Sequence, residues 1–476
     1  MVNEKTELLE LDTLLKSIVT TEQAWHYSII PKQIEDNYLL FWISELVSTS
    51  EVEQELQVIL GKNVNTYPIS PEIIKNSLLK HYPKTNNQNH SDATFASEDD
   101  FLVNLFQEAR ALNSSDIHIE IYQSDCRVRM RKDGMLIERH KLQYQDYPAL
   151  VNRIKIKANL DISEKRLPQD GRIFIDNTGK SFDVRVSIIP TFYGEKVVMR
   201  LLRTDNMHVE LATIGLTKNQ HETYWKAVQK QNGIILISGP TGSGKTTTLY
   251  STLKMLNSDD KNILTIEDPI EYTLRGVNQV QVKESIGLTF SKAMRSFLRQ
   301  DPNIIMLGEI RDQETAQMAI RLALTGHLVL STIHTNSAWG TVSRLIDMDV
   351  PPFLIANTLN VSAAQRLIRT LCTNCKVPDT DESKFSQLKD LDIKLAHLSR
   401  AVGCENCYFT GYSGRQAVFE VLPIDSSLVG AIHNNQHSLG EFFKERNIET
   451  LRDRVLQMLT SQQTSFEEAY PLLLST

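Results

Sequence analysis

The segment GIILISGPTGSGKTTTLYSTL, residues 233–253, constrains this chain more than any other. An apolar run leads directly into Gly239-Pro240-Thr241-Gly242-Ser243-Gly244-Lys245-Thr246, which fits G-x-x-x-x-G-K-[ST], and a helix-like segment follows. Strand, glycine-rich loop and helix in that order are the context the motif requires. Glycines let successive backbone N–H groups converge on phosphate oxygens, and the helix N-terminus adds positive potential. The expected nucleotide contacts are Gly239, Pro240, Thr241, Gly242, Ser243, Gly244, Lys245, Thr246 and Thr247. Lys245 is placed to reach the β and γ phosphates, and the Thr246 hydroxyl to ligate Mg²⁺. A glycine-rich turn matching by chance is the bland alternative, and the correctly placed strand and helix argue against it. The motif alone says "binds ATP or GTP" and does not name the work done.

Further apolar strands follow, NILTIEDP, NIIMLGE and HLVLSTIH, separated by helical segments. That alternation implies a parallel sheet with helices on its faces. In such sheets ligands bind at the carboxyl ends of the strands. Glu267 and Glu309 each fall just past such an end. At Glu309, in NIIMLGEIRD, an aspartate that holds Mg²⁺ would be usual; Gly308 and Glu309 stand there instead. A carboxylate at either place can orient an attacking water or hold Mg²⁺ through its waters. His327 and His334 bracket the last strand on opposite faces. His334, at the carboxyl end, is the better candidate for the γ-phosphate, and a structural role suits His327 equally well.

The chain has 476 residues, which implies two to four domains. Its net charge of −7 is spread along the chain, against a whole-protein attraction to nucleic acid. No apolar run approaches the roughly 20 residues of a membrane span. The acidic N-terminus lacks a signal-peptide layout, so a cytoplasmic location is expected. Residues 1–82 carry helical patterning and read as an N-terminal domain, with YLLFWIS and QELQVIL as strand and helix. Residues 83–98 are polar and read as a linker. Residues 99–205 alternate as a mixed α/β domain, with a turn at Asp133-Gly134 and a hairpin turn near Asn177–Gly179. Residues 206–476 form the nucleotide-binding domain, and beyond 350 the chain reads as mostly helical.

Of five cysteines, four form two C-x-x-C pairs, Cys372/Cys375 and Cys404/Cys407, with 28 residues between the pairs. Four thiolates in two close pairs suit a tetrahedral structural Zn²⁺, with an iron–sulfur cluster as the rival. Cys126 alternates with Val128 and Met130 and reads as a buried strand position. Arg127, Arg129 and Arg131 share one strand face.

The segments GPTGSGKTTTLY, TIEDPIEY, LRQDPNIIMLGEIRD and TGHLVLSTIHTN, in this order, resemble the Walker A, Asp box, Walker B and His box of the type II secretion and type IV pilus assembly ATPases (the GspE/PilB group). SDIHIE, RLPQDGR and FDVRVSIIPTFYGEKVVMRLL resemble the domain that precedes the motor domain in that family, and LCTNCK with GCENCYFTGYSGR its cysteine knuckles. The resemblance covers about 97–476. It implies a multidomain α/β protein: a RecA-like P-loop ATPase domain preceded by a PAS-like α+β domain and a small N-terminal domain. A tetracysteine zinc insert would span 372–407 and a helical C-terminal subdomain 408–476. It implies ATP, Mg²⁺ and Zn²⁺, a homo-hexamer, and indirect membrane association through an inner-membrane platform protein and its cytoplasmic docking component. Glu309 maps onto the family's general base and Glu267 onto its Asp-box acid. Arg172 and Arg185, with Arg200 behind them, map onto arginines that the PAS-like domain brings to the phosphates. An Arg-Leu-Gly motif for cyclic dinucleotides is absent from LDTLLKSIV, so the N-terminal domain is expected to dock protein. The N-terminal module and cysteine pairs favour assembly or secretion over retraction. The competing readings are a P-loop motor that moves nucleic acid, a DNA-uptake pilus motor, and a non-catalytic nucleotide-gated scaffold.

Overall fold

The computed structural model describes residues 9, 11, 13–16, 18–35, 38–82, 98–177, 180–202, 209–434, 436 and 439–474. The linker expected over 83–98 falls, apart from Glu98, outside the described residues, as does most of the turn expected near Asn177–Gly179. The chain divides into two units. One gathers Met1–Ala96, Arg369–Gly414 and Met458–Glu468; the other gathers Ser97–Ile368, Arg415–Gln457 and Ala469–Thr476. No helix among the described residues is long and apolar enough to cross a membrane.

The first unit begins with two short helices, α1 (Thr13–Lys16) and α2 (Thr21–His26), and a three-stranded sheet. Strand β1 (Ile29–Glu35) pairs antiparallel with β2 (Tyr38–Ser44), and β2 pairs parallel with β3 (Asn63–Ile69). A parallel neighbour needs a crossover, supplied by α3 (Thr49–Leu60). Helix α4 (Pro71–His81) starts on Pro71, whose missing N–H costs nothing at that position. Alternate residues Phe41 and Ile43 meet Leu56 of α3 and Ile74 and Leu78 of α4 in one core. The strand and helix expected from YLLFWIS and QELQVIL are both present.

The second unit opens with α5 (Glu98–Ala111) and an antiparallel sheet of order β6-β5-β4-β9-β8-β7. Its strands are β4 (Asp116–Ile121), β5 (Cys126–Lys132), β6 (Met135–Leu142), β7 (Gln169–Asn177), β8 (Lys180–Thr191) and β9 (Gly194–Leu202). Helix α6 (Tyr147–Lys157) lies between β6 and β7 in sequence. The Asp133-Gly134 turn joins β5 to β6 with both residues at positive φ, 48° and 88°, as a two-residue hairpin loop of this kind demands. One face buries Ile117, Ile119, Val128, Met130, Val186 and Met199, and Cys126 is buried in strand β5 as expected. Many of the alternate positions are charged. Strand register lines up Arg172, Arg185, Arg200, Asp116 and Arg131 as successive cross-strand neighbours.

The nucleotide-binding part follows, with α7 (Lys218–Val228) leading to a sheet of order β12-β11-β13-β14-β10-β15-β18. Strands β10 (Gly233–Ser238), β11 (Ile263–Glu267), β13 (Ile304–Leu307) and β14 (Leu328–Ile333) are parallel neighbours, as expected, and a strand not expected, β12 (Asn278–Gln281), pairs parallel with β11 at the edge. Helices α8 (Lys245–Leu256), α9 (Phe290–Phe297), α10 (Gln313–Leu324), α11 (Gly340–Asp347) and α12 (Pro352–Thr358) alternate with them. Their carboxyl ends present the phosphate loop, Glu267, Glu309 and His334.

Beyond residue 350 the helical reading needs correction. Strand β15 (Leu359–Leu371) pairs parallel with β10, and β18 (Tyr412–Pro423) lies beside β15, inside the segment 408–476 expected to be helical. Helices do make up the chain after Pro423. The sequence of β15, LNVSAAQRLIRTL, carries helix-forming Ala, Gln, Arg and Leu and shows no alternation. Its first seven residues are buried on both faces, which removes the period-2 signal and lets packing override propensity. Between β15 and β18, the short β16 (Val377–Asp379) and β17 (Leu398–Arg400) pair antiparallel within the first unit.

A pH effect follows from the charged sheet face. Glu120 is 3% exposed and accepts two hydrogen bonds of 2.8 Å from Arg129, with Lys196 Nζ at 3.1 Å. Burial by itself would raise this carboxyl, but Arg129 and Lys196 outweigh it and hold its pKa down to about 2. A depressed folded-state pKa gives stability that is present above the ordinary value of 4.5 and lost as pH falls toward about 2. Thermal midpoints of the wild type should therefore drop more steeply across that window than those of Glu120→Gln. Equal slopes would remove Glu120 from the acid response.

Candidate active site and metal centre

Helix α8 begins at Lys245, capped by Gly244 at φ 89°. Its first-turn N–H groups lack intrahelical partners and face the loop, which makes the helix end an anion site. Lys245 is 9% exposed, and its Nζ donates to the carbonyls of Gly239 (2.7 Å) and Pro240 (3.1 Å). The ammonium thus curls over its own loop, ready to exchange those carbonyls for phosphate oxygens. Burial lowers its pKa, Glu309 acts to raise it, and Arg366 adds to the lowering. Thr246 is exposed and Thr247 half-buried in the same first turn.

The residues after β13 are held to β14. Ile310 N donates to Thr332 O (2.9 Å), and Thr332 Oγ1 donates to Gly308 O (2.8 Å). This fixes Glu309, whose carboxylate pairs with Arg311 and lies 3.3 Å from His334 Nε2. Asp312 is spent otherwise: it caps α10, accepting from Thr315 N at 2.8 Å. His327 Nδ1 lies 2.9 Å from Leu322 O at the end of α10, a structural placement. The structure therefore gathers Lys245, Glu309 and His334 at the ends of β10, β13 and β14.

Glu267 does not join that set. It is 3% exposed, and its carboxylate accepts from Tyr250 of α8, from Thr265 Oγ1 (2.7 Å) and from Gln279 Nε2 (3.0 Å). None of these partners belongs to the phosphate loop or to the Glu309 cluster. Burial and the Glu267 charge push the Tyr250 hydroxyl up, so it remains a donor at neutral pH. Tyr250 and Gln279 gave no sign of this role in the sequence, because only the parallel pairing of β11 with β12 brings Gln279 alongside.

Among the arginines, Arg185 Nη2 donates to Ile270 O (2.6 Å) in the acidic segment after β11. Arg172 pairs with Asp183, and Arg200 Nε donates to Asp116 Oδ1 (3.0 Å), both within their own sheet. The structure thus carries Arg185 to the nucleotide-binding part and leaves Arg172 and Arg200 on carboxylates. A second wall of the phosphate loop comes from β15. A side chain on Gly239 would begin 2.5 Å from Gln365 O and 3.1 Å from Arg366 Nη1, and Thr248 Oγ1 donates to Gln365 Oε1 (2.9 Å). Gln365 and Arg366 lie in the strand read as helical, and so were missed.

The four paired cysteines come together in the first unit. Their sulfurs lie within 4.8 Å of one another, with Cys372–Cys404 at 3.9 Å, Cys375–Cys407 at 3.7 Å and Cys404–Cys407 at 3.8 Å. A tetrahedron with metal–sulfur bonds of about 2.3 Å has edges of about 3.8 Å, so the set fits one tetrahedral ion. Backbone N–H groups of Gly403 (3.3 Å) and Gly411 (3.3 Å) point at the Cys375 and Cys407 sulfurs. The hydrogen bond between the Cys375 and Cys407 sulfurs lowers the Cys407 thiol and raises that of Cys375.

The chain matches the family model described as type II/IV secretion system protein over residues 92–470. It is 44% identical over 384 residues to "Type II secretion system ATPase E" of Vibrio cholerae, covering 78% of this chain and 75% of that one. It is 39% identical over 482 residues to "Type IV pilus assembly ATPase PilB" of Myxococcus xanthus, covering 92% and 85%. The fold resembles the Legionella pneumophila ATPase DotB, with a TM-score of 0.60, 21% identity and coverage of 79% of this chain and 96% of DotB. A site that gathers a phosphate-binding loop, an acid and a histidine thus lies within a match to most of the chain: the chain belongs to the type II/IV secretion system protein family and is an ATPase of that family.

Proposed function

We propose that the chain hydrolyses ATP to drive assembly of a pilus or pseudopilus, acting as a homo-hexamer in the cytoplasm. It would reach the membrane through an inner-membrane platform protein and its cytoplasmic docking component. Relatives of both kinds, a secretion ATPase and a pilus assembly ATPase, support this class of work. The observation that carries the reading is the meeting of Glu309 with His334, beside a phosphate loop whose lysine feels the Glu309 charge.

Glu309 acts as the general base, taking a proton from the water that attacks the γ-phosphorus. Its links to Arg311 and His334 aim the carboxylate before substrate arrives. His334 donates toward the γ-phosphate as charge shifts in the transition state. Lys245 neutralises the β and γ oxygens. The Thr246 hydroxyl would help hold Mg²⁺, which would supply charge neutralisation. Glu267, saturated by protein donors, frames the end of β11 and acts on water only at a distance. Arg185 couples the antiparallel sheet to the segment after β11, so closure of that sheet bears on hydrolysis. The four thiolates of Cys372, Cys375, Cys404 and Cys407 would hold a structural Zn²⁺, which would brace the fold rather than take part in catalysis.

Two outcomes are expected. Glu309→Gln should bind ATP with near wild-type affinity and lose about 10²-fold or more of turnover, the scale of a removed general base. Unchanged hydrolysis would overturn the role. Purified wild-type chain should carry one zinc per chain by elemental analysis, and Cys375→Ser should release it. A chain with no zinc, or with iron and sulfide in its place, would contradict the metal assignment.

A further inference from the structure

His334 is followed by Asn336, Ser337 and Ala338, which belong to no helix or strand. Side chains from three strands nonetheless grip this segment. Arg366 Nη2 of β15 donates to Asn336 O (2.8 Å), and Ser362 Oγ of β15 donates to Ala338 O (2.8 Å). Ser238 Oγ of β10 donates to Ser337 O (3.4 Å). Ala338 N donates to Glu420 Oε1 of β18 (2.8 Å). Ser238, Ser362 and Glu420 are buried, so their hydrogen bonds are costly to leave unmade.

Two of these residues adjoin the phosphate loop: Ser238, which leads directly into Gly239, and Arg366, which reaches it from β15. Its Nη1 lies 3.1 Å from where a Gly239 side chain would start, and it donates to Gln365 O (3.0 Å), the carbonyl that walls the same glycine. Its charge also reaches Lys245. One planar guanidinium therefore spans the phosphate loop and the segment that carries His334. Its fork of fixed donors suits such a bridge better than a flexible ammonium does.

We propose that Arg366 is a positioning residue of the ATPase site, holding the His334 segment in register with the phosphate loop so that His334 and Glu309 meet the γ-phosphate together. This rests on the roles given above to His334 and Glu309. A displacement of about 1 Å can cost about 10²-fold in rate, so a bridge of this kind has kinetic consequences without touching substrate.

The test is steady-state ATPase kinetics of the full chain, with thermal midpoints, for Arg366→Ala, Arg366→Lys, His334→Gln and the double variant Arg366→Ala/His334→Gln. Arg366→Ala should lower kcat by about 10- to 100-fold with less than about a threefold change in KM. Arg366→Lys, which keeps a donor for Asn336 O, should restore part of that loss. The double variant should fall little below the weaker single one, because both changes act on one unit. Wild-type kcat in Arg366→Ala, a defect confined to KM, or losses that multiply in the double variant would each overturn the proposal. If Arg366→Ala does not fold, Arg366→Gln takes its place under the same criteria. Wild-type turnover in His334→Gln would sink the role of His334 itself, and with it the bridge, and is told apart from failure of the bridge alone by that single variant.

Discussion

The phosphate loop has no room for a side chain at Gly239, because the backbone carbonyl of Gln365 stands 2.5 Å from where one would begin. That contact between β10's exit and β15 is what the rest of the site is built on. It holds the loop open toward the first turn of α8, lets Lys245 lie over it, and places Arg366 at its flank. The parallel pairing of β15 with β10 thus also shapes one wall of the phosphate loop. Substitution at Gly239 would press on backbone, which has no rotamer to yield.

Around this loop the acids divide their work by what already holds them. Asp312 is committed to a helix cap and Glu267 to three protein donors. Among the described residues Glu309 is joined to Arg311 and His334, side chains that are 59% and 49% exposed and able to rearrange when phosphate enters. The Glu267 oxygens are already occupied by buried donors, whereas the partners of Glu309 are exposed side chains that can move aside for a water. Gly308-Glu309 in place of the usual aspartate sets the acid two residues past the end of β13 and lengthens its reach. In the role proposed above, that reach serves water activation rather than metal binding.

Much of this was legible in the sequence because the motif and the strands around it depend on local order. The phosphate loop, the apolar strand before it and three of the strands after it, the Asp133-Gly134 hairpin and the cysteine pairs are all marked by residues near one another in the chain. The parts that escaped are those fixed by distant pairing. Strand β15 is buried on both faces and written in helix-forming residues, so neither period nor propensity marked it. With it went Gln365 and Arg366. Glu267 was placed correctly at a strand end, but its orientation depends on Tyr250 and on the alignment of β12, which no spacing reveals. The register that lines up Arg172, Arg185 and Arg200 was likewise beyond a one-dimensional pattern, and it separates the arginine that reaches Ile270 from those that stay on carboxylates.

The division of labour among the acids is tested most directly by a structure of the full chain with Mg²⁺ and a hydrolysis-resistant ATP analogue, at a resolution that shows ordered water. The expected result is a water in line with the γ-phosphorus, hydrogen-bonded to Glu309, with Glu267 still held by Tyr250 and Gln279. A water held instead by Glu267, or Glu309 bound directly to the metal, would contradict the account.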